Sequence, residues 1–242
     1  MPRRILGTLL LFIIILTTGP ASASGSAEGV IPISAGDDGG GQSAQAAAGP
    51  STLTPLTDFA RKLPHGDSST PVGVYVPGVL AYEIHAQPAS NPGYVTSVDD
   101  AVSLFRLAQQ HGTTGLIAHN YLAGELFFDL EVGQEVVILK ANGSRQRYRI
   151  ESIRRLQALS PWSPNSNFVD LDRDGQVLTA LELFNQIYHG SDRLIFQTCI
   201  EYEGNPVWGR IFVTATPIEI SPGIDWAVKL PGFLFGGANT SA

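Results

Sequence analysis

Short runs rich in Val, Ile, Tyr and Phe, broken every few residues by Gly, Pro, Asn or Asp, occupy most of the stretch from about residue 71 to 221. Long helical periodicity is rare there, so the chain has few ways to bury apolar surface except by pairing strands. A mainly β barrel or sandwich follows. The strand candidates are 72–76, 79–85, 115–118, 135–141, 146–153, 193–198 and 210–215. Asn142-Gly143 joins two of them; the pair readily takes the positive φ angles of a tight hairpin, and the overlapping Asn142-Gly143-Ser144 is also a glycosylation sequon. Two segments break the pattern. Ser97-Val98-Asp99-Asp100, followed by Ala101, Leu104, Phe105 and Leu107, predicts a short helix capped at Ser97. Residues 179–188, with Leu181, Leu183, Phe184 and Ile187, predict a second.

Outside this stretch the composition changes. Arg3 and Arg4 precede the apolar run 5–16, and Ala21-Ser22-Ala23 follows. The run is shorter than the ~20 residues that span a bilayer, and the small residues fit a cleavage point, so 1–23 reads as a signal peptide or a retained membrane anchor. Either way the remainder is expected to work outside the cytoplasm, secreted or held at the outer face of the membrane. Residues 24–57 are dominated by Gly, Ala, Ser, Gln and Pro and read as a flexible spacer, although 56–63 has the pattern of a short helix that packs on the domain. One domain, 58–221, is large enough for its own core. The tail 222–242, with Trp226, Leu230, Phe233, Leu234 and Phe235, is unusually apolar; it is expected to pack on the domain or lean on a membrane. The net charge is −7, and removing 1–23 takes away two Arg and no acid, which excludes a nucleic-acid binder.

The chain has one cysteine, so an exported form has no internal disulfide. An inert buried Cys, an intermolecular bridge and a reactive nucleophile are the options. Its surroundings favour the nucleophile. Cys199 ends the apolar run Leu194-Ile195-Phe196-Gln197-Thr198, eleven residues before Arg210 and eighty after His119. A thiol attacks carbonyls as thiolate and needs a proton partner and positive potential, which His119 and Arg210 would supply. Strand alternation puts Ile195, Gln197 and Cys199 on one face, and Arg210, Phe212 and Thr214 on one face of the next strand. The turn signal Gly204-Asn205-Pro206 between them suits an antiparallel pair, with Cys199 and Arg210 at its open end. His119 stands where the apolar run 115–118 enters the polar loop Asn120-Tyr121.

These segments resemble sortases. Leu194-Ile195-Phe196-Gln197-Thr198-Cys199 and Trp208-Gly209-Arg210-Ile211-Phe212-Val213-Thr214-Ala215 are similar to the C-terminal signature of that family, in which a Thr-Cys pair ends one strand and an Arg opens the next. Ile117-Ala118-His119-Asn120, Phe128-Asp129-Leu130 with Val132-Gly133, and residues 148–153 follow in family order, over about 71–218. Sortases commonly have Gly before the His, where this chain has Ala118. The resemblance implies a closed eight-stranded β-barrel with short helices and a long helix-containing insertion between the last strands. It implies an extracytoplasmic cysteine transpeptidase. Cys199 would attack a sorting-motif peptide, His119 would shuttle the proton, Arg210 would hold the substrate backbone or oxyanion, and Thr198 would support substrate binding. The implied partners are a peptide or protein bearing a sorting motif and an amine acceptor from the cell wall or another surface protein. The alternative is a catalytically silent barrel of the same fold that binds a peptide or cell-wall ligand. Papain-like and caspase-like thiol enzymes fit less well in residue order and flanks.

Between 153 and 194, where sortases carry a variable loop, Asp170, Asp172 and Asp174 alternate before Gly175, as in a calcium loop. Gln176 would add its carbonyl and Glu182 a shifted carboxylate, because the twelfth position is Leu181. No cofactor is required by the thiol chemistry; Ca²⁺ is the metal this loop would take. Capping of the helix from Thr179 by a solvated acidic turn is the competing reading.

Overall fold

The computed structural model describes residues 54–190 and 192–218; the N-terminal apolar run, the body of the spacer and the C-terminal tail lie outside these residues. Ten strands form one sheet. They are β1 (Pro71–Val76), β2 (Leu80–Ala86), β3 (Ala101–Phe105), β4 (Thr114–Ile117), β5 (Glu135–Lys140), β6 (Arg145–Ala158), β7 (Phe168–Asp170), β8 (Val177–Leu178), β9 (Leu194–Tyr202) and β10 (Asn205–Pro217). The spatial order β10-β9-β4-β3-β2-β1-β5-β6 closes on itself through β6–β10 pairing, which gives an eight-stranded barrel. Closure leaves those strands without free edges. The pairs β2–β3 and β4–β9 are parallel, the rest antiparallel. The β7–β8 hairpin hangs from the far end of β6.

The strand candidates all appear, and three extend well beyond their apolar runs: β6 continues to Ala158, β9 continues to Tyr202 and β10 starts at Asn205. Asn142-Gly143 makes the β5–β6 turn, with Gly143 at φ 78° and Asn142 Oδ1 accepting from the Ser144 amide. The predicted helix at Ser97 is corrected. Residues Ala101–Phe105 form β3, and only Arg106–Gln110 are helical (α2). All five residues of β3 are buried, because Val102 and Leu104 face the barrel interior while Phe105 joins a second core outside it. A strand buried on both sides loses the polar alternation that marks a strand, and its apolar spacing then imitates a helix.

Helix α1 (Leu56–Lys62) lays Phe59, with Leu63 just beyond its end, on the outer face of β5. Helix α3 (Ala180–Tyr188) forms where 179–188 predicts it, opened by a capping box in which Thr179 and Glu182 satisfy each other's backbone amides. It belongs to the insertion between β6 and β9. Its buried residues Leu183, Phe184, Ile187 and Tyr188 join Ile195, Phe212 and Leu156 in the core outside the barrel. The interior is filled by Val74, Leu116, Phe127, Phe196, Ile211 and Val213, with Phe127 and Phe196 edge to face at 5.1 Å. The wall of β9 and β10 is therefore covered on both sides, and the chemistry-bearing residues sit at one end of its outer side.

Candidate active site

Pairing of β9 and β10 sets Cys199 directly opposite Arg210, Gln197 opposite Phe212 and Ile195 opposite Thr214. Residues opposite each other share a face, so the two trios inferred from alternation are one face. Ile195 and Phe212 pack into the outer core, which fixes that face as the outside of the barrel. Tyr188 of α3 donates its hydroxyl to Gln197 Oε1, tying the insertion down just short of the thiol.

The third residue arrives through β4. This strand runs parallel to β9 with Ile117 beside Gln197, and the Ala118 amide donates to the Gln197 carbonyl at 3.2 Å. Continuing along each strand, Ala118 joins the barrel interior and Thr198 is buried beside it; the residue after is His119 past β4 and Cys199 on β9. Thr198 is fully buried and donates to the Ala118 carbonyl at 2.9 Å. It thus holds the strand end that carries His119. Asn120 Nδ2 donates to the Pro206 carbonyl at 3.2 Å, tying the same segment to the start of β10.

Past His119 the chain enters a 3-10 helix, Ala123–Asp129, and the His119 carbonyl accepts from the amides of Leu122 and Gly124 at 3.1 and 2.9 Å. Nothing in the sequence pattern singles out Gly124. A Cβ there would lie 2.6 Å from the His119 carbonyl oxygen and 2.4 Å from Thr198 Oγ1. Gly124→Ala must therefore push the backbone that carries His119. A loss of about 1–3 kcal/mol is expected from overpacking, with a larger fractional loss of activity than conservative changes elsewhere on this helix produce. Urea melts combined with turnover measurements check it.

All three chemical groups are shielded: Cys199 is 1% exposed, Arg210 3% and His119 8%. Val95 and Val207 pack on Cys199. The His119 ring stacks on exposed Tyr121 at 5.1 Å, and its Nδ1 has no hydrogen-bond partner. Arg210 Nη1 donates to the carbonyls of Val207 and Gly209 at 2.9 and 2.7 Å, while its buried Nε has no partner. Unpaired buried donors of this kind are costly and are found where a ligand completes them.

Burial pushes the Cys199 thiol up, against the pull of the Arg210 charge. Burial pushes His119 down, against the nearby Val95 carbonyl. The resting pair is therefore neutral thiol with neutral imidazole. Because His119 binds its proton less readily when folded, stability is fully present above its ordinary 6.5 and is lost as pH falls from there through the folded value. Cys199 acts oppositely: the unfolded thiol ionises first, so stability falls as pH rises past its ordinary 9.0. Melting temperatures across both limbs test this. His119→Gln is expected to flatten the first decline and Cys199→Ala the second.

The acidic residues of the insertion do not converge. Asp170 is fully buried and accepts from both Nε and Nη2 of Arg154, whose Nη1 reaches Gln186 of α3 at 3.1 Å. Its own amide donates to the Gln176 carbonyl at 2.8 Å. Asp172 accepts from the Arg155 amide at 2.6 Å, Asp174 stands at the turn with φ 47°, and Glu182 is spent on the cap of α3. Among the described residues no group of three or more His, Cys, Asp or Glu is placed to hold a metal. This donor set does not fit Ca²⁺, which needs six to eight oxygens around one point. The pattern instead makes a salt-bridged hairpin.

No protein-family model matches the chain, and no curated protein does. Sortases are among the solved structures of similar fold. They include sortase C1 of Streptococcus agalactiae in complex with MTSET, 18% identical over 66% of this chain and 72% of that one, with a TM-score of 0.39. Sortase A of Corynebacterium diphtheriae is 11% identical over 64% of each chain, with a TM-score of 0.41. Sortase C-1 of Actinomyces oris is 14% identical over 62% of this chain and 74% of that one, with a TM-score of 0.43.

Proposed function

We propose that the chain is a sortase-type cysteine transpeptidase working outside the cytoplasm. The observation that carries this is the row His119, Cys199, Arg210 across three neighbouring strands at one end of the barrel's outer face. A thiol, a proton shuttle and a fixed cation side by side are the parts acyl transfer requires. Cys199 Sγ attacks the carbonyl carbon of a sorting-motif peptide; a C–S bond forms and the carbonyl oxygen takes the negative charge. Arg210, with Nε unspent, donates to that oxygen or to the neighbouring substrate backbone. His119 gives its proton to the departing amine as the C–N bond breaks, which leaves a thioester. An incoming amine then attacks, His119 accepts its proton, and the C–S bond breaks to restore the thiolate beside a protonated His119. Thr198 supports the substrate side indirectly, through its hold on Ala118.

The electrostatics add a consequence. Attack needs thiolate with imidazolium, whereas the resting pair favours the neutral forms, so a minority population reacts. Its rate profile is bell-shaped, falling below the His119 midpoint as thiolate is lost and above the Cys199 midpoint as imidazolium is lost.

The amine acceptor is a wall precursor or another surface protein, and the N-terminal run 1–23 either directs export or tethers the chain to the membrane. No helix among the described residues is long and apolar enough to cross a membrane. The near-complete burial of Cys199 favours the second reading, a silent barrel that binds peptide without turnover. Incubating the full chain with sorting-motif peptides and a short amine separates the two. Transfer product that vanishes in Cys199→Ala supports the enzyme; binding without product, equal in both proteins, supports the module.

A further inference from the structure

Between the parallel strands β2 and β3 the chain must travel from one end of the barrel to the other, and it does so as a strap, residues 87–100, whose middle passes over the candidate site. Val95 of this strap packs on Cys199 and on the outer core, and its carbonyl stands near the His119 ring. The backbone bonds within 88–94 are internal turns, Asn91 to Pro88 at 3.1 Å and Tyr94 to Asn91 at 3.2 Å. Residues 88–92 are exposed. Among the described residues, the side-chain hydrogen bonds that fasten this leg to the barrel all come from Gln87. Gln87 is 7% exposed; its Nε2 donates to the carbonyls of Pro92 and Tyr94 at 3.2 and 2.7 Å. Its Oε1 accepts from the Arg106 amide at 2.9 Å. Arg106 is the first residue of α2, where amides lack helical partners, so the same amide group caps the helix and grips the strap. On the far leg the Thr96 amide donates to buried Ser103 Oγ at 2.8 Å.

A cavity of about 340 Å³ borders the clamp, lined by Ala89, Pro92, Phe105 and Leu107 as well as Gln87. Packing alone therefore does not hold this leg down. Such a segment, with few buried apolar contacts and an exposed backbone, opens locally at a cost far below global unfolding.

We propose that Gln87 is the positioning residue of this site: its clamp on the Pro92 and Tyr94 carbonyls holds Val95 across Cys199 and His119, and release of that clamp uncovers the thiol for acylation. The link to acylation rests on the transpeptidase reading; the uncovering does not. A strap that shields thiol and imidazole together keeps both neutral while no substrate is present, and its removal rehydrates both at once.

The test uses the full chain with Gln87→Glu and Gln87→Met. Glu keeps the acceptor for the Arg106 amide, and so the end of α2, but turns a carboxylate toward the two strap carbonyls; Met removes every bond at similar volume. Two readouts report on the strap alone: the rate at which iodoacetamide alkylates Cys199, and the His119 midpoint by NMR titration. Alkylation at least about tenfold faster in Gln87→Glu, with the His119 midpoint moved up toward its ordinary value because burial is the larger influence on it, is the expected result. Unchanged alkylation and midpoint in variants that melt like the parent would overturn it. If both variants fail to fold, Ser103→Ala frees the other leg and carries the same expectation, with the same unchanged rates counting against it. Peptide acylation is measured in parallel. Faster alkylation with no acylation keeps the strap and removes the enzyme; normal acylation with unchanged alkylation does the reverse.

Discussion

His119→Ala is expected to slow acyl transfer to an amine by about 10²–10⁴-fold, the usual worth of a positioned acid–base group, while the barrel stays folded. The ring belongs to neither apolar core of the barrel and stacks on exposed Tyr121, so its removal leaves both cores intact. Under the proposed transpeptidase chemistry, by contrast, the variant lacks the group assigned to give a proton to the leaving amine and take one from the incoming amine. Arg210→Ala would disturb the start of β10 as well as any substrate contact, because Arg210 Nη1 holds the Val207 and Gly209 carbonyls. His119→Ala is therefore the cleaner probe. Single-turnover rates, with circular dichroism to confirm the fold, measure it; a rate within twofold of the parent would remove His119 from the chemistry.

The largest effect on stability belongs to a residue three strands along the same cross-strand row from the thiol. Asp170→Ala is expected to cost about 3–5 kcal/mol, because it leaves the buried guanidinium of Arg154 without its counter-charge. That is a large share of the roughly 5–15 kcal/mol by which domains of this kind are stable. The pair joins β6 to β7, and Arg154 extends the link to Gln186 on α3, so its failure loosens the insertion that covers the outer core. Replacing both partners at once, as Asp170→Leu with Arg154→Met, removes the stranded charge and is expected to recover most of the loss. Urea denaturation of the two single variants and the double variant closes the cycle. Because the hairpin is held by the ion pair, the losses are expected to be the same with calcium and with chelator.

That ion pair also shows what a linear motif leaves out. Asp170, Asp172 and Asp174 at alternate positions before Gly175 have the spacing of a calcium loop, and the spacing is all that a linear motif conveys. Arg154 lies sixteen residues earlier, on the strand to which β7 pairs, and only the fold brings it to Asp170. The β3 strand was illegible for a related reason, since Ala101–Phe105 is buried on both faces and carries no alternation to find. Cys199 and Arg210 were legible because a lone thiol stands out and a two-residue period predicts which side chains share a face. The hairpin between β9 and β10 then makes them partners. His119 was legible only as the end of an apolar run; its place beside Cys199 depends on a parallel pairing between segments eighty residues apart. Gly124, Gln87 and Val95 gave no signal at all. Each is an ordinary residue whose importance comes from what the closed barrel sets against it: a carbonyl 2.6 Å from a missing Cβ, two strap carbonyls within reach of an amide, a thiol under a methyl group.

The most direct test of the account is intact-mass spectrometry of the full chain mixed with sorting-motif peptides in the absence of an amine. The account predicts an added mass equal to the N-terminal part of the cleaved peptide, located on Cys199 by peptide mapping, absent from Cys199→Ala and discharged when an amine is supplied. A Cys199 that alkylates with a small reagent yet gains no acyl group from any peptide would contradict it.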